Sequence, residues 1–112
     1  MSDAKSAPIS FDQLYDLIVS RHRADPAQSY VASLQGKGLD AILKKIGEES
    51  SELLIAAKNG DRAAALHELA DLWFHMMVWM AHAGYSLDDL RGELGARHGR
   101  SGLRNPSANE KT

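Results

Sequence analysis

Two acidic clusters contain the side chains whose types and spacing point most directly to chemistry. The first cluster follows the pattern EExxE and consists of Glu48, Glu49 and Glu52, and the second follows ExxD and consists of Glu68 and Asp71. Spacings of three and four residues bring side chains to the same side of a helix. The clusters therefore predict two helices, each of which carries an acidic edge.

Glu49 interrupts the apolar stripe of the first of these helices. That stripe contains Ile42, Ile46 and Leu53. At about 100° per residue, Glu49 lies about 20° from the stripe, Glu52 about 80° and Glu48 about 120°. A carboxylate on a core-facing stripe is costly unless a cation compensates its charge. The position of Glu49 therefore favours a metal site over the ordinary interpretation of an ExxE pair, which is a solvated helix face.

The turn Asn59–Asp61 brings the two clusters to matching heights. A connection this short forces the two helices to run antiparallel. Glu52 and Glu68 are equally far from the central glycine of the turn, and Glu49 and Asp71 are equally far from it one helical turn further away. Because packed helices have axes about 8–10 Å apart, these four carboxylates can converge on one small space.

Four carboxylates in one small space repel one another unless some stay protonated or a cation lies between them. All-oxygen ligation selects a hard divalent ion, so the sequence predicts Mg²⁺, with Mn²⁺ as an alternative. Such an ion keeps several water molecules, and these leave coordination positions for phosphate oxygens. The four acids thus predict a site that handles phosphate groups.

Other familiar metal and phosphate motifs are missing from the sequence. The HExxD run that begins at His67 lacks the second histidine of a zinc protease helix. Neither Glu49 nor Glu68 has the histidine three residues later that di-iron bundles use. No glycine-rich phosphate loop of the Walker type is present either. Phosphate contacts must then come from the metal and from basic side chains.

Lys45 is the first basic candidate, because it lies one turn before Glu49 on the same side of the helix and suits a triphosphate oxygen. An exposed helix lysine is an equally good interpretation. The further candidates for substrate contacts, each of which could instead face solvent, are Lys58, Asn59, Arg97 and Arg100. His75, one turn beyond Asp71, either supports the metal ligands or is a plain core or surface histidine.

Four helices are predicted to position these residues. The first begins with a capping box at Ser10 and ends near His22 or Arg23, and it is followed by an ordered loop over residues 27–38 with one short helical turn. The other helices are predicted over Leu39 to Lys58, Arg62 to Ala83, and Ser86 to about His98, the last with Leu87, Leu90 and Leu94 facing inward. No strand pattern is found. The sequence therefore predicts an all-α fold, a small four-helix bundle built on a central antiparallel hairpin.

The chain of 112 residues is long enough for one domain, predicted over residues 10–98 between a disordered segment 1–9 and a flexible tail 99–112. A net charge of −2 gives no basic excess for binding nucleic acid. The absence of cysteine, of an apolar run that could span a membrane and of a secretory signal leads us to expect a soluble, cytoplasmic protein. The helix over 62–83 is apolar on more than one side, which predicts a homodimer or a larger homo-oligomer.

Three segments resemble the phosphoribosyl-ATP pyrophosphatase family, part of the MazG-like all-α nucleotide pyrophosphohydrolases. They are Lys44 to Glu52, Ala56 to Asp61, and Glu68 to Leu72. The EExxE and ExxD patterns identify the superfamily. The narrower resemblance depends on Ser29 to Leu34, on the run AAKNGD, on Gly84 to Asp89 and on Arg97 to Gly102. Altogether the resemblance covers about residues 11–103.

The resemblance implies magnesium-dependent hydrolysis of phosphoribosyl-ATP to phosphoribosyl-AMP and pyrophosphate, the second step of histidine biosynthesis. By position, it implies that the metal ligands are Glu49, Glu52, Glu68 and Asp71. It also implies that Glu48 orients or deprotonates the attacking water, or contributes to a second metal. Which acid serves as the base stays open, with Glu48, Glu49 and Glu52 as the candidates. The resemblance also implies assembly into dimers or larger oligomers.

Two alternative functions are compatible with the same residues. A housecleaning pyrophosphatase acting on dNTPs or aberrant nucleotides would share the acidic site and differ in its base and ribose pocket. A helical dimerisation module with an incidental acidic surface would have no such activity. Turnover of phosphoribosyl-ATP alone, turnover of dNTPs, or no turnover at all would distinguish the three.

Overall fold

The computed structural model describes residues 7–98, which form five helices and, within this range, no strand. The all-α class predicted from the sequence is therefore confirmed. The predicted segment 1–9 falls mostly outside the described range, and the predicted tail 99–112, with Arg100, falls wholly outside it. The helices are α1 (Phe11–Arg21), α2 (Tyr30–Lys37), α3 (Leu39–Lys58), α4 (Arg62–Ala83) and α5 (Leu87–His98).

Helices α3 and α4 form a hairpin, and their contact is the most extensive among the helices of residues 7–98. Their turn needs a left-handed residue, and Gly60 supplies it with a φ of 74°. Asp61 then caps α4, because its side chain accepts a hydrogen bond of 3.0 Å from the backbone N–H of Ala64. The predicted bounds of both helices are confirmed.

The predicted loop over residues 27–38 is wrong for most of its length, because Tyr30–Lys37 forms α2. The hydroxyl of Ser29 caps this helix by accepting a hydrogen bond of 3.1 Å from the backbone N–H of Ala32. One side of α2 buries Val31, Ala32 and Leu34 and packs mainly on α3. Burial and the cap together stabilise a helix that is too short and too rich in unfavourable residues to stand alone.

The core lies between α1, α2, α3 and the second half of α4. Its most deeply buried side chains are Ile18, Ile42 and Val78. The first half of α4 is different, because Leu66, Leu69 and Trp73 remain exposed on the described chain. The apolar stripe of α4 is therefore buried at one end of the helix and open at the other.

Helix α5 is attached to the rest of the protein mainly by polar contacts. Leu87 packs partly against the core, but Leu90 and Leu94 are exposed, so the prediction that all three face inward is wrong for the last two. The guanidinium of Arg91 bridges Asp12 of α1, at 2.6 and 2.7 Å, and Asp88 of α5, at 2.7 Å. Among the helices of residues 7–98, none combines the length and apolar character that crossing a bilayer requires.

Candidate metal centre

Glu49, Glu68 and Asp71 come together where α3 faces α4. Each offers one carboxylate oxygen, and these three oxygens lie within 4.8 Å of one another. The hairpin therefore gathers acids from both helices, as the matching distances from the turn predicted. Two oxygens bound to one Mg²⁺ ion lie at most about 4.2 Å apart, which is twice the Mg²⁺–O distance of about 2.1 Å. The limit of 4.8 Å is close to this value, so a small movement of the side chains would bring all three oxygens onto a single divalent ion.

Two carboxylate oxygens of this group lie in surroundings that offer no proton donor. Glu49 is only 6% exposed, as its place on the apolar stripe predicted. Within residues 7–98, neither Oε1 of Glu49 nor Oε1 of Glu68 has a hydrogen-bond partner, and both atoms are inaccessible to solvent. A buried carboxylate without a donor is unfavourable, and a hard cation is the partner that best satisfies it. The donor set thus fits a divalent metal.

The pKa of Glu68 is raised by its surroundings, which include the carboxyl groups of Glu49 and Glu52. Burial raises this pKa above its ordinary value, and the hydrogen bonds and charges of Glu49 and Glu52 raise it further. Two carboxyl groups can share a hydrogen bond only when one of them holds a proton. The metal-free cluster therefore retains a proton more readily than an isolated glutamate, and a cation would displace that proton.

Glu48 and Glu52 occupy the exposed edge of the cluster. Glu52 lies outside the group of three, yet its carboxyl is close enough to affect the pKa of Glu68 directly. Glu48 faces solvent, and its Oε1 lies 3.9 Å from the Nζ of Lys45. The exposure of these two acids agrees with their predicted angles from the apolar stripe.

Lys45 places a positive charge at the rim of the acidic cluster. Its Nζ lies 3.6 Å from Oε2 of Glu49, one turn further along α3. The pKa of Lys45 is raised first by the phenolate that Tyr30 forms at alkaline pH and then by the carboxylates of Glu49 and Glu48, against an opposing effect of burial. The ammonium group therefore remains charged beside the carboxylates, where it can meet an anionic ligand.

A tyrosine and a histidine that the sequence did not pair lie against the same cluster. The Tyr30 hydroxyl is 2.8 Å from Nε2 of His75, and Nδ1 of His75 is 2.8 Å from the backbone oxygen of Asp71. His75 is 5% exposed, so it is a buried histidine that supports the backbone at a candidate ligand. The sequence signals that could have located Tyr30 are the helix cap at Ser29 and the segment Ser29 to Leu34 of the family resemblance.

The remaining candidates for substrate contacts lie away from the gathered carboxylates. Lys58 and Asn59 are exposed at the end of α3, beside the turn. Arg97 forms an ion pair of 2.8 Å with Glu93 inside α5. In the described part of the chain, no hydrogen bond or ion pair joins these three residues to the acidic cluster.

Comparison with known proteins finds several similar chains that share one name. A similar protein from Methylococcus capsulatus, named phosphoribosyl-ATP pyrophosphatase, is 50% identical over 91 residues, which are 81% of this chain and 87% of that protein. Proteins of the same name from Methylibium petroleiphilum and Rhizorhabdus wittichii are 53% identical over 91 residues and 47% identical over 102 residues. These matches cover 81% and 91% of this chain, and 76% and 96% of the respective relatives.

The family model described as phosphoribosyl-ATP pyrophosphohydrolase matches residues 11–98, which include all five helices and every member of the acidic cluster. The matched range is well over half of the chain. On this match and on the identities of its relatives, the chain belongs to the phosphoribosyl-ATP pyrophosphohydrolase family.

Proposed function

We infer that this protein hydrolyses phosphoribosyl-ATP to phosphoribosyl-AMP and pyrophosphate, the second step of histidine biosynthesis. Its family and the names of its relatives support this reaction. The products require that the bond between the α- and β-phosphates be broken. The structural observation that carries the inference is the gathering of Glu49, Glu68 and Asp71, in which the two glutamates each bury an oxygen that has no hydrogen-bond partner within residues 7–98.

Magnesium is the proposed cofactor, with manganese as an alternative. Glu49, Glu68 and Asp71 would hold it, and Glu52 would complete the set from the exposed side. When bound, the ion would supply charge neutralisation on the leaving pyrophosphate and a lowered pKa for a water ligand. The all-oxygen donor set supports a hard ion rather than zinc.

The outer edge of the site is proposed to handle water and phosphate. Glu48 and Glu52 flank Glu49 where solvent has access, so this edge can orient the attacking water and accept its proton. Lys45 would donate to a phosphate oxygen, because phosphate presents only acceptors and an ammonium presents only donors. Lys58, Asn59 and Arg97 are proposed as further substrate contacts.

The activity is tested by measuring pyrophosphate release from phosphoribosyl-ATP, ATP and dATP with magnesium and after chelation by EDTA. We expect turnover of phosphoribosyl-ATP alone, and we expect EDTA to abolish it because the carboxylates cannot bind the phosphates unaided. Turnover of dATP at a comparable rate would instead indicate a housecleaning enzyme. No turnover, together with no thermal stabilisation by magnesium, would indicate a non-enzymatic module.

A further inference from the structure

Tyr30 is held at the mouth of the acidic site by a buried partner. Its side chain is 52% exposed, yet its hydroxyl is fixed at 2.8 Å from Nε2 of the buried His75. The tyrosine ring also stacks on Phe74, with ring centroids 6.3 Å apart. An exposed ring fixed on one side and open on the other is well placed to meet a ligand at its outer side.

The direction of the hydrogen bond between Tyr30 and Nε2 of His75 follows from the contact that Nδ1 of the same ring makes. The backbone oxygen of Asp71 can only accept, so Nδ1 of His75 must be the donor in that contact. In the neutral imidazole the second nitrogen is then an acceptor, and the Tyr30 hydroxyl donates its hydrogen inward to it. Burial is the main cause that raises the pKa of Tyr30, so the phenol keeps this hydrogen at neutral pH.

The side of the Tyr30 oxygen that faces away from His75 can therefore accept a hydrogen bond from a ligand. Phosphate oxygens are acceptors as well and cannot satisfy it. On a nucleotide whose phosphates are bound at the neighbouring acidic cluster, the nearest groups with hydrogen-bond donors are the hydroxyls of the ribose. Lys45 lies close enough to interact electrostatically with Tyr30, but no hydrogen bond between them is found in residues 7–98.

We propose that Tyr30, oriented by His75, accepts a hydrogen bond from the 2′- or the 3′-hydroxyl of the ribose that carries the triphosphate. This assignment rests on the proposed function and adds a specificity-determining contact to it. Tyr30 is the residue that touches the sugar, and His75 is a positioning residue.

The test compares kcat/KM for phosphoribosyl-ATP with the values for its analogues that lack the 2′- or the 3′-hydroxyl of that ribose. In the unsubstituted protein we expect one analogue to be poorer by about 10-fold, the size of one neutral hydrogen bond. Tyr30→Phe should lower kcat/KM for phosphoribosyl-ATP by about 10-fold and leave the value for that analogue unchanged. The substitution keeps the ring and its contact with Phe74.

Tyr85→Phe is the matched control, because Tyr85 is 51% exposed and lies on the connection between α4 and α5. It should leave all three kcat/KM values unchanged. Magnesium should raise the melting temperature of Tyr30→Phe as much as that of the unsubstituted protein, since the carboxylates are intact.

An equal loss of kcat/KM on all three nucleotides in Tyr30→Phe, or equal turnover of all three by the unsubstituted protein, would overturn the assignment. Absence of any turnover of phosphoribosyl-ATP by the unsubstituted protein would instead overturn the proposed function itself.

Discussion

The acidic cluster combines two carboxylates that are hidden from water with others that water can reach. Glu49 and Glu68 each turn one oxygen into surroundings without a donor, whereas Glu48 and Glu52 lie at the exposed edge. This division separates two tasks, because inner carboxylates are suited to holding an ion and outer ones to exchanging a proton with water. It also means that, without a metal, the folded protein contains repulsion that the unfolded chain largely avoids.

Neutralising one acid of the cluster should therefore lower the activity without lowering the stability of the metal-free protein. We expect Asp71→Asn and Glu52→Gln each to lower turnover of phosphoribosyl-ATP by about 100-fold or more, because the proposed metal loses a ligand. In EDTA, the melting temperature of each variant should equal or exceed that of the unsubstituted protein, because charge repulsion falls. Pyrophosphate release and thermal unfolding measure the two effects.

Asp16→Asn provides the control for this pair, since Asp16 is an exposed carboxylate on α1. It should change neither turnover nor the melting temperature measured in EDTA. Full activity in Asp71→Asn or in Glu52→Gln would show that the substituted residue is not a ligand.

The sequence predicted the burial of Glu49 but not the pairing of Tyr30 with His75. The first depends on helical angle alone, which three neighbouring apolar positions define. The second joins residues 45 positions apart, in α2 and α4. Such a contact depends on how α2 packs, and one sequence holds no periodicity that reports it.

At the scale of helices, the buried Tyr15 links α1 to the chain just after the end of α4. The hydroxyl of Tyr15 donates a hydrogen bond of 2.5 Å to the backbone oxygen of Tyr85, just after α4 ends. Burial raises the pKa of Tyr15 above its ordinary value of 10.0, and the charge of Asp89 raises it further. The neutral phenol is therefore part of the junction between α1 and the α4–α5 connection.

Alkaline pH should weaken this junction. Because the folded-state pKa of Tyr15 lies above the unfolded value, its contribution to stability is complete below about pH 10 and is lost as pH rises through the raised pKa. We expect Tyr15→Phe to be less stable than the unsubstituted protein by about 1 kcal/mol at pH 8, the contribution of one hydrogen bond. That difference should be constant up to about pH 10 and should shrink between pH 10 and pH 11.

Urea unfolding of both proteins across this pH range measures the difference directly. Lysines and the other tyrosines titrate in both proteins, so their effects cancel in the comparison. A stability difference that stays constant to pH 11 would show that the phenol of Tyr15 does not titrate differently in the folded protein.

The bounds of α3 and α4 were predictable because local chemistry defines them. The existence of α2 was not predictable in this way. Gly60 and Asp61 end one helix and begin the next through backbone geometry and a side-chain cap, both of which are readable in sequence. Helix α2 contains Gly36 and has only eight residues. Its formation depends on burying Val31 and Leu34 against other helices, which local propensity does not encode.

At the scale of the whole molecule, more large apolar side chains are exposed than one domain normally leaves in water. Six of them belong to the hairpin and the start of α1: Phe11, Leu54, Ile55, Leu66, Leu69 and Trp73. Leu66 is 68% exposed, and the ring of Phe11 packs on that of Trp73 with centroids 5.1 Å apart. This surface supports the proposal of a homodimer or larger homo-oligomer that covers α4.

Placing a charge on this surface should dissociate the proposed oligomer. We expect the unsubstituted protein to be at least dimeric and Leu66→Glu to raise the dissociation constant by about 30-fold or more, because a buried carboxylate would lack a partner. Light scattering coupled to size exclusion, over a range of protein concentrations, measures the mass. Leu17→Glu, at an exposed apolar position of α1, is the control and should leave the mass unchanged.

A monomeric unsubstituted protein at high concentration would contradict the oligomer directly. So would a Leu66→Glu variant whose mass equals that of the unsubstituted protein at every concentration tested.

The turn at Gly60 ties the lengths of α3 and α4 to each other. One residue inserted in either helix between the turn and the acids would rotate that helix's carboxylates by about 100° and shift them by about 1.5 Å. Even seven added residues, close to two full turns, would restore their direction but displace them by about 10 Å from their counterparts. Insertions and deletions in this hairpin can therefore preserve the site only as matched pairs of about seven residues, one in each helix, because only these restore both the direction and the relative height of the acids.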